Sequence, residues 1–400
     1  MARNLSPAFR PGQFSGKVPR MRQIALVLLL CCACGSQKHA VSAQDLDFHQ
    51  RAIVIDAHSD VTEAIYYEGY DFGVRHQDHN SDLPRMREGG LDAQFFSIFV
   101  HPESVDIHQF FPESLKQIDA VEAMVKANSS KIAMARTAEQ IKANAEAGKA
   151  SALLGVEGGH LLLPGSEDEQ LQHLRDFAAR GVRYLTLSWS SSSPIGGSTA
   201  EGEQEGLTPF GKRAIAEMEK LGIIIDLSHG SDPLFWDVIR LAKKPLLLTH
   251  SSSRELSHAP RNASDSMLTA VARNGGAVCV DFSRTYLDDK FRKATQGLLQ
   301  KTKGMHPSEK QKLYAGAKLP AVPLSVLVDH IDHMVRVAGV DHVCLGSDYD
   351  SAPMFPVGLE DVSKLPALTE EMRKRGRSNE DIEKILGGNL LRVLAANEAH

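Results

Sequence analysis

Two short apolar runs, Gly222-Ile-Ile-Ile-Asp-Leu-Ser-His229 and Lys244-Pro-Leu-Leu-Leu-Thr-His250, each stop on a histidine, and each follows a segment with helical periodicity. A strand buried on both faces reads as a continuous apolar run, which is the habit of parallel sheets. Polar residues just past the C-terminal ends of such strands carry the chemistry of α/β folds. Two successive strands that deliver imidazoles to one edge therefore predict a parallel sheet with a metal centre at that edge.

The rest of the chain repeats the unit. Further runs occupy Ala52–Asp56, Leu91–Val100, Ala152–Glu157, Val182–Ser188, Gly276–Phe282 and His342–Gly346. Helical periodicity fills Glu113–Lys126, Thr137–Ala147, Glu167–Arg180, Ala263–Asn274, Val322–Val337, Leu365–Arg375 and Asn379–Ala396. Thr208-Pro209 and Ser231-Asp232-Pro233 open two more helices with a capping hydroxyl followed by an early proline. Eight apolar runs alternating with helices predict a (β/α)₈ TIM barrel. A doubly wound open sheet would want a Gly-rich phosphate turn after its first strand, and there is none. The charged segment 284–321 follows the seventh run as an insertion; a lid over the catalytic face and a surface decoration are both open readings.

With 400 residues, 42% hydrophobic and 24% charged, the chain suits one barrel with insertions. A net charge of −5, with no basic stripe after the N-terminus, argues against a nucleic-acid partner. The N-terminus differs. Arg3, Arg10, Lys17, Arg20 and Arg22 precede the apolar run Ile24–Leu30 and then small residues, the layout of an export signal too short to span a bilayer. Cys34 between Ala33 and Gly35 resembles a bacterial lipoprotein cysteine, whereas Val41-Ser42-Ala43 fits a cleavage site. Residues 1–43 are expected to be an export segment under either reading. The mature chain, 44–400, is then periplasmic or a membrane-anchored lipoprotein. Of the two cysteines outside that segment, Cys279 and Cys344, both lie in apolar runs. Buried inert thiols are the preferred reading and a disulfide between neighbouring strands the alternative.

In a barrel, the C-terminal mouth collects His58 and Asp60 after the first run, Glu157 at the end of the third, and His229, His250 and Asp348 after the fifth, sixth and eighth. Imidazole nitrogen and carboxylate oxygen are the ligands Zn²⁺ takes, and a glutamate can bridge two ions. Each residue has an ordinary alternative. A lone histidine is most often a surface or satisfied core residue, and His160, His258 and His330 are read so. An aspartate after a strand is often a helix N-cap, which applies to Asp60 and Asp348. Glu157, between Val156 and Gly158-Gly159, has little helix or turn role, and a buried unpaired carboxylate is costly. The coincidence of five metal-type residues at four strand ends lifts the set above its members.

The chain also resembles the membrane (renal) dipeptidase family, metallo-dipeptidases built on the barrel of metal-dependent hydrolases. The stretches that carry the likeness are Val54-Ile-Asp-Ala-His-Ser-Asp60, Leu154-Gly-Val-Glu-Gly-Gly-His160, Gly181–Leu187, Gly206–Gly211, Ile225-Asp-Leu-Ser-His229, Thr249–Ser252, Arg261-Asn262, Leu345-Gly-Ser-Asp-Tyr-Asp350 and Gly388–Leu394, in family order. The resemblance implies two Zn²⁺ ions, one on His58 and Asp60, the other on His229 and His250, with Glu157 bridging. It implies that Asp348 is the acid/base, that Arg261 grips the free carboxylate of a dipeptide substrate, and that the chain forms a homodimer. The family tolerates a D-residue at the C-terminal position, which raises L-D dipeptides as substrates.

One position departs from the pattern. After Leu185-Thr-Leu-Ser188 the animal enzymes carry a histidine at the scissile carbonyl; here it is Trp189, whose indole can donate but not take a proton. Either the metals alone polarise the carbonyl, or Asn262 or a serine of Ser190–Ser193 assists. Trp189 leaves room for another reaction at the same site, that of a lactonase, phosphotriesterase or acylamino hydrolase. A non-catalytic exported binding lipoprotein is the reading from another class.

Overall fold

The structure, a computed structural model, describes residues 41–302, 313–314, 316–351 and 354–398. The expected export segment up to residue 40, with Cys34, and part of the expected insertion lie outside the described residues. Nine strands are present among them: β1 (Val54–Ser59), β2 (Leu91–Ile98), β3 (Ile132–Met134), β4 (Ala150–Glu157), β5 (Val182–Thr186), β6 (Ile224–Asp226), β7 (Leu247–Leu248), β8 (Ala277–Asp281) and β9 (Val343–Gly346). Eight of them run in the order β1-β2-β4-β5-β6-β7-β8-β9, every pair parallel. The last comes beside the first through a parallel bridge, Ser59 to Tyr349. Asp60 N donates to Tyr349 O at 2.8 Å and Asp348 N donates to His58 O at 3.1 Å. The expected barrel is therefore the observed fold.

The short β3 was not expected. It lies off the ring and pairs with Ala150–Ala152, the start of β4, before β5 takes over that side at Leu154. The stretch directly after the expected export segment, given no structure by its sequence, is also ordered. A helix covers Ala43–Arg51, capped by the Ser42 hydroxyl, which accepts from Asp45 N. Its Phe48 ring lies under the Arg373 guanidinium at 4.8 Å.

Alternation along the strands divides the core in two. Ile55, Ala93, Phe95, Leu153, Tyr184, Ile224, Leu247, Ala277, Cys279 and Cys344 fill the barrel, closed below by Leu390, Val393 and Leu394 of the C-terminal helix. Their neighbours Val54, Phe96, Leu154, Leu185, Ile225, Leu248, Val278 and Leu345 face the surrounding helices. Because both faces are buried, the period of two does not show as polar alternation in the sequence. It does place Glu157, Asp226, Thr249 and Asp281 on the inner face, two residues above Gly155, Ile224, Leu247 and Cys279.

Cys279 and Cys344 face each other across β8 and β9 and are joined as a disulfide. The expectation of inert thiols is corrected. Strand register sets two inward side chains side by side, a proximity that apolar character alone does not reveal.

Gly155 has a packing reason. A Cβ there would sit 1.9 Å from Cζ of Tyr184, so the fully buried phenol occupies the room a side chain would take. Gly155→Ala is expected to cost about 3 kcal/mol, the upper range of overpacking, read as a lowered midpoint of denaturant unfolding at unchanged slope.

Candidate metal centre

His58 lies in β1, Asp60 directly after it, and Glu157 is the last residue of β4. His229, His250 and Asp348 follow β6, β7 and β9 within three residues. The barrel brings all six to one place. Glu157 sits between two groups: one oxygen is 2.9 Å from His229 Nε2 and 3.4 Å from His250 Nε2. The other lies 3.7 Å from His58 Nε2, which is itself 3.3 Å from Asp60 Oδ1 and 3.9 Å from Asp348 Oδ1. His229 Nε2 and His250 Nε2 stand 3.0 Å apart. The potential ligand atoms of His58, Asp60 and Glu157 lie within 4.8 Å of one another, as do those of Glu157, His229 and His250, so one glutamate serves both sets. His58, His250 and Asp348 form a third such group.

The chemistry of this donor set fits cations. Among the described residues His58 Nε2 and Asp60 Oδ1, both buried, have no hydrogen-bond partner, and buried polar atoms are otherwise nearly always satisfied. Asp60 stands at the start of the short helical turn Val61–Glu63 yet caps nothing with its side chain, which removes its ordinary alternative. Electrostatics agree. Burial first, then the fields of Asp60 and Asp348, hold the Glu157 carboxyl well above the usual carboxylate range. Burial, with Asp60 second, pushes Asp348 up to about 7. Burial opposes protonation of His58, but Glu157, Asp60 and Asp348 override it and carry His58 up to about 10. His229 and His250 go the other way, held well below the normal range by burial and by the positive charges of Arg261 and His58. Bare carboxylates and imidazoles thus sit in the wrong protonation states for one another, and a pair of cations would resolve the conflict.

Backbone strain marks the same residues. His229 has φ 68° and Asp348 φ 58°, left-handed values unusual for side-chain-bearing residues. Such conformations cost about 1–3 kcal/mol each and persist where the surroundings over-determine them.

Arg261 reaches the rim. Its guanidinium donates to His250 O at 3.3 Å and Ser251 Oγ at 3.4 Å and lies 5.3 Å from the centre of the Tyr286 ring, while its Nε is buried without a partner. Trp189 is half-buried, its indole 6.3 Å from the His229 ring, 4.8 Å from Phe99 and 5.2 Å from His101. Asn262 is unsuited to assist. Its amide donates to the carbonyls of Ser257 and Tyr286 and accepts from Ser252 N, so it holds loops together. Ser193 is engaged likewise, donating to Leu187 O at 2.6 Å. Among the histidines set aside, His160 binds Val100 O, His330 binds Leu287 O, and His258 pairs with Asp289 at the surface.

Residues the sequence did not single out also converge here. Tyr184 Oη meets His58 Nδ1 at 2.8 Å. Asp56 accepts from Ser347 N at 2.7 Å and Ser347 Oγ at 2.6 Å, tying β1 to the turn that carries Asp348. Asp281 ends β8 with one oxygen accepting from Ser283 N and the other buried without a partner. Burial, reinforced by Asp348, holds its carboxyl well above the normal range. Tyr286 belongs to the helix Arg284–Leu287, so the expected insertion begins against Arg261.

A parallel barrel with a shared-glutamate ligand set at its C-terminal mouth defines a metal-dependent hydrolase-type architecture. Comparison with known proteins gives the family. The model for the membrane dipeptidase family, peptidase family M19, matches residues 42–400, and the chain belongs to that family. Dipeptidase 3 of Homo sapiens is 33% identical over 351 residues, 85% of this chain and 64% of that protein; the Mus musculus protein is 32% identical over 351 residues, with shares of 85% and 63%. The chain thus spans a little under two thirds of the length of these curated relatives. Among solved structures, a metallo peptidase from Rhodobacter sphaeroides liganded with a phosphinate mimic of the dipeptide L-Ala-D-Ala superposes with TM-score 0.73 at 27% identity, covering 87% of this chain and 100% of that one. The probable dipeptidase PvdM from Pseudomonas aeruginosa, at 24% identity and TM-score 0.78 over 88% of this chain and 97% of that one, shares the fold.

Two outcomes are expected. Stripping metal with a chelator lowers the melting temperature, and restoring zinc at a hundredfold excess over its dissociation constant returns about 2.7 kcal/mol per site, read by thermal unfolding. In the metal-free chain Asp348 has a raised pKa, so its contribution is most favourable below about 4 and is lost as pH rises through about 7. Asp348→Asn should therefore gain melting temperature over the parent at pH 8 and show little difference near pH 4.

Proposed function

We propose that the chain is an exported binuclear zinc dipeptidase that hydrolyses small dipeptides with a free C-terminal carboxylate. The observation that carries this reading is Glu157, whose two oxygens divide between His58 on one side and His229 with His250 on the other. Asp60 completes the first ligand set. When bound, such a metal pair supplies a water of lowered pKa and a Lewis acid for the peptide carbonyl.

The chain's own residues do the rest. Arg261 offers a two-pronged partner for a carboxylate, and its place beside the His250 carbonyl sets the reach from that carboxylate to the scissile bond. A short reach admits dipeptides and excludes proteins. Asp348, beside His58 at the edge of the ligand set, is placed to accept a proton from water and return it to the leaving amine. Trp189 cannot take that proton, and neither Asn262 nor Ser193 has a free group to offer it. Its indole, with Phe99, closes the approach with an apolar wall, which excludes water and favours a substrate with a compact apolar side chain.

The phosphinate mimic of L-Ala-D-Ala held by the Rhodobacter sphaeroides relative supports L-D dipeptides as a substrate class. Export is supported by the Cys279–Cys344 disulfide, a bond that persists in oxidising compartments. Either a lipid anchor at Cys34 or cleavage at Val41-Ser42-Ala43 to a periplasmic form, together with a homodimer, belongs to the same proposal.

The test is a panel of L-L, L-D, C-amidated and N-blocked dipeptides on zinc-reconstituted protein. Free-carboxylate dipeptides should turn over and their C-terminal amides should not. Arg261→Met should lower kcat/KM about 10- to 100-fold, the worth of charge-assisted hydrogen bonds to substrate, and should affect the amides little. Turnover of lactones or phosphotriesters in preference to dipeptides would overturn the assignment.

A further inference from the structure

Below the metal centre, at the inner end of β6, lies a carboxylate with no assigned role. Asp226 is fully buried and accepts five hydrogen bonds. Its Oδ1 takes Ser228 N at 3.0 Å, Ser228 Oγ at 2.9 Å and Thr249 N at 2.9 Å; its Oδ2 takes Thr186 Oγ1 at 2.6 Å and Thr249 Oγ1 at 2.7 Å. The donors come from β5, from the turn after β6 and from the residue after β7. Thr249 Oγ1 in turn lies 2.9 Å from His250 Nδ1.

Following the protons along this chain fixes the state of the imidazole. A carboxylate only accepts. A backbone N–H only donates, so His250 N, 3.2 Å from Ser228 Oγ, gives its proton to that hydroxyl, and Ser228 directs its own proton to the charged Asp226 Oδ1 at 2.9 Å in preference to Thr249 Oγ1 at 3.3 Å; neither choice leaves Thr249 an extra proton. Thr249 has one hydroxyl proton, and the 2.7 Å contact with Asp226 Oδ2 claims it. Towards His250 the threonine oxygen can then only accept. His250 Nδ1 must carry a hydrogen to meet it, and Nε2, the nitrogen that faces Glu157 and His229, is left with its lone pair. We propose that Asp226 is a positioning residue that acts through Thr249 to lock His250 in the Nδ1–H tautomer, the form in which Nε2 can bind a cation. The inference rests on the reading of His250 as a metal ligand and deepens it. Neighbouring groups that hydrogen-bond to a ligand histidine typically matter 10- to 100-fold in metal affinity.

The relay has a direction, which makes it testable. Asp226→Asn is isosteric, but its amide can donate to Thr249 Oγ1; the hydroxyl proton then turns to His250 Nδ1 and the imidazole hydrogen moves to Nε2. Thr249→Val keeps the shape and removes the relay, whereas Thr249→Ser keeps the relay. Zinc affinity of each full-length protein is measured by competition with a chromophoric chelator, and ¹⁵N spectra of histidine-labelled metal-free protein report the tautomer. In Asp226→Asn and Thr249→Val one of the two zinc equivalents should weaken 10- to 100-fold while the other stays near the parental value. Thr249→Ser should hold both within a few-fold. His250 should be Nδ1-protonated in the parent and Thr249→Ser, and Nε2-protonated in Asp226→Asn. The proposal is overturned if Thr249→Val retains both zinc equivalents at parental affinity, even where its melting temperature falls, because that pattern marks a purely structural network. Should Asp226→Asn fail to fold, the Thr249 pair decides alone. Should the parent bind no zinc, the metal-centre reading itself fails, an outcome separate from the relay.

Discussion

Concentrated buried negative charge is the constraint on which the rest of this structure depends. Asp60, Glu157, Asp348 and Asp281 converge at one mouth of the barrel, and Arg261 is the fixed cation whose charge bears on Glu157, Asp281 and Asp348 together. Two unit charges 4 Å apart interact by about 4 kcal/mol at an effective dielectric near 20, so a single pair of these carboxylates rivals a large part of a domain's net stability. The fold tolerates the cluster only if cations or protons compensate it. The opposed states of the histidines, His58 driven towards its charged form and His229 and His250 towards neutrality, are the protein's own incomplete compensation. Strain at His229 and Asp348 is stored in the same place and is borne by the surrounding strands, whose interior is apolar and closed.

Much of this was legible in the sequence, because ligands at the ends of buried strands interrupt apolar runs. His58, Glu157, His229 and His250 each stand where aliphatic residues stop, and the runs gave the barrel its count of strands. The shortest strands of the ring, β6 and β7, span only Ile224–Asp226 and Leu247–Leu248, yet their runs are unmistakable since flanking residues are buried whether or not they pair. What failed to show was whatever depends on register. The disulfide between Cys279 and Cys344, the strand Ile132–Met134 and the closeness of Tyr286 to Arg261 all arise from neighbours far apart in the chain. The helix Ala43–Arg51 does not show for another reason: its helical propensity is ordinary, and it is held by distant partners, Asp45 and Phe48 against Arg373 and His49 against Thr369 and the Gly89 carbonyl.

The overlooked acids had a readable signal. Asp56, Asp226 and Asp281 each sit inside an apolar run, and an isolated charge on a strand buried on both faces demands a partner. The cost of an unpaired buried carboxylate singles out these three as it does Glu157, yet it does not say what each is for. Asp56 binds the Ser347 turn, Asp226 binds hydroxyls of neighbouring strands, and Asp281 keeps one oxygen unpaired beside Asp348; the difference lies in distances, not in residue type.

The two relays below the centre share a property that follows from the charge above them. His58 meets a phenol and His250 a threonine hydroxyl, so no carboxylate touches either imidazole from beneath. A carboxylate bonded directly to a ligand histidine would fix its tautomer more strongly, but it would add a negative charge within a few ångströms of a mouth already crowded with them. Interposing Thr249 keeps the directional control that Asp226 exerts through hydrogen bonds and places its charge one group deeper, where five uncharged donors stabilise it. Tyr184 orients the His58 ring without a charge at all, and Gly155 gives it the room. His229 has no such partner among the described residues, its Nδ1 being buried and unbonded there, so its orientation is left to a left-handed backbone rather than to a proton. Thus one centre uses two ways to aim an imidazole: a hydrogen-bonded neighbour where the strand interior can supply one, and main-chain strain where the ligand sits on a loop beyond it.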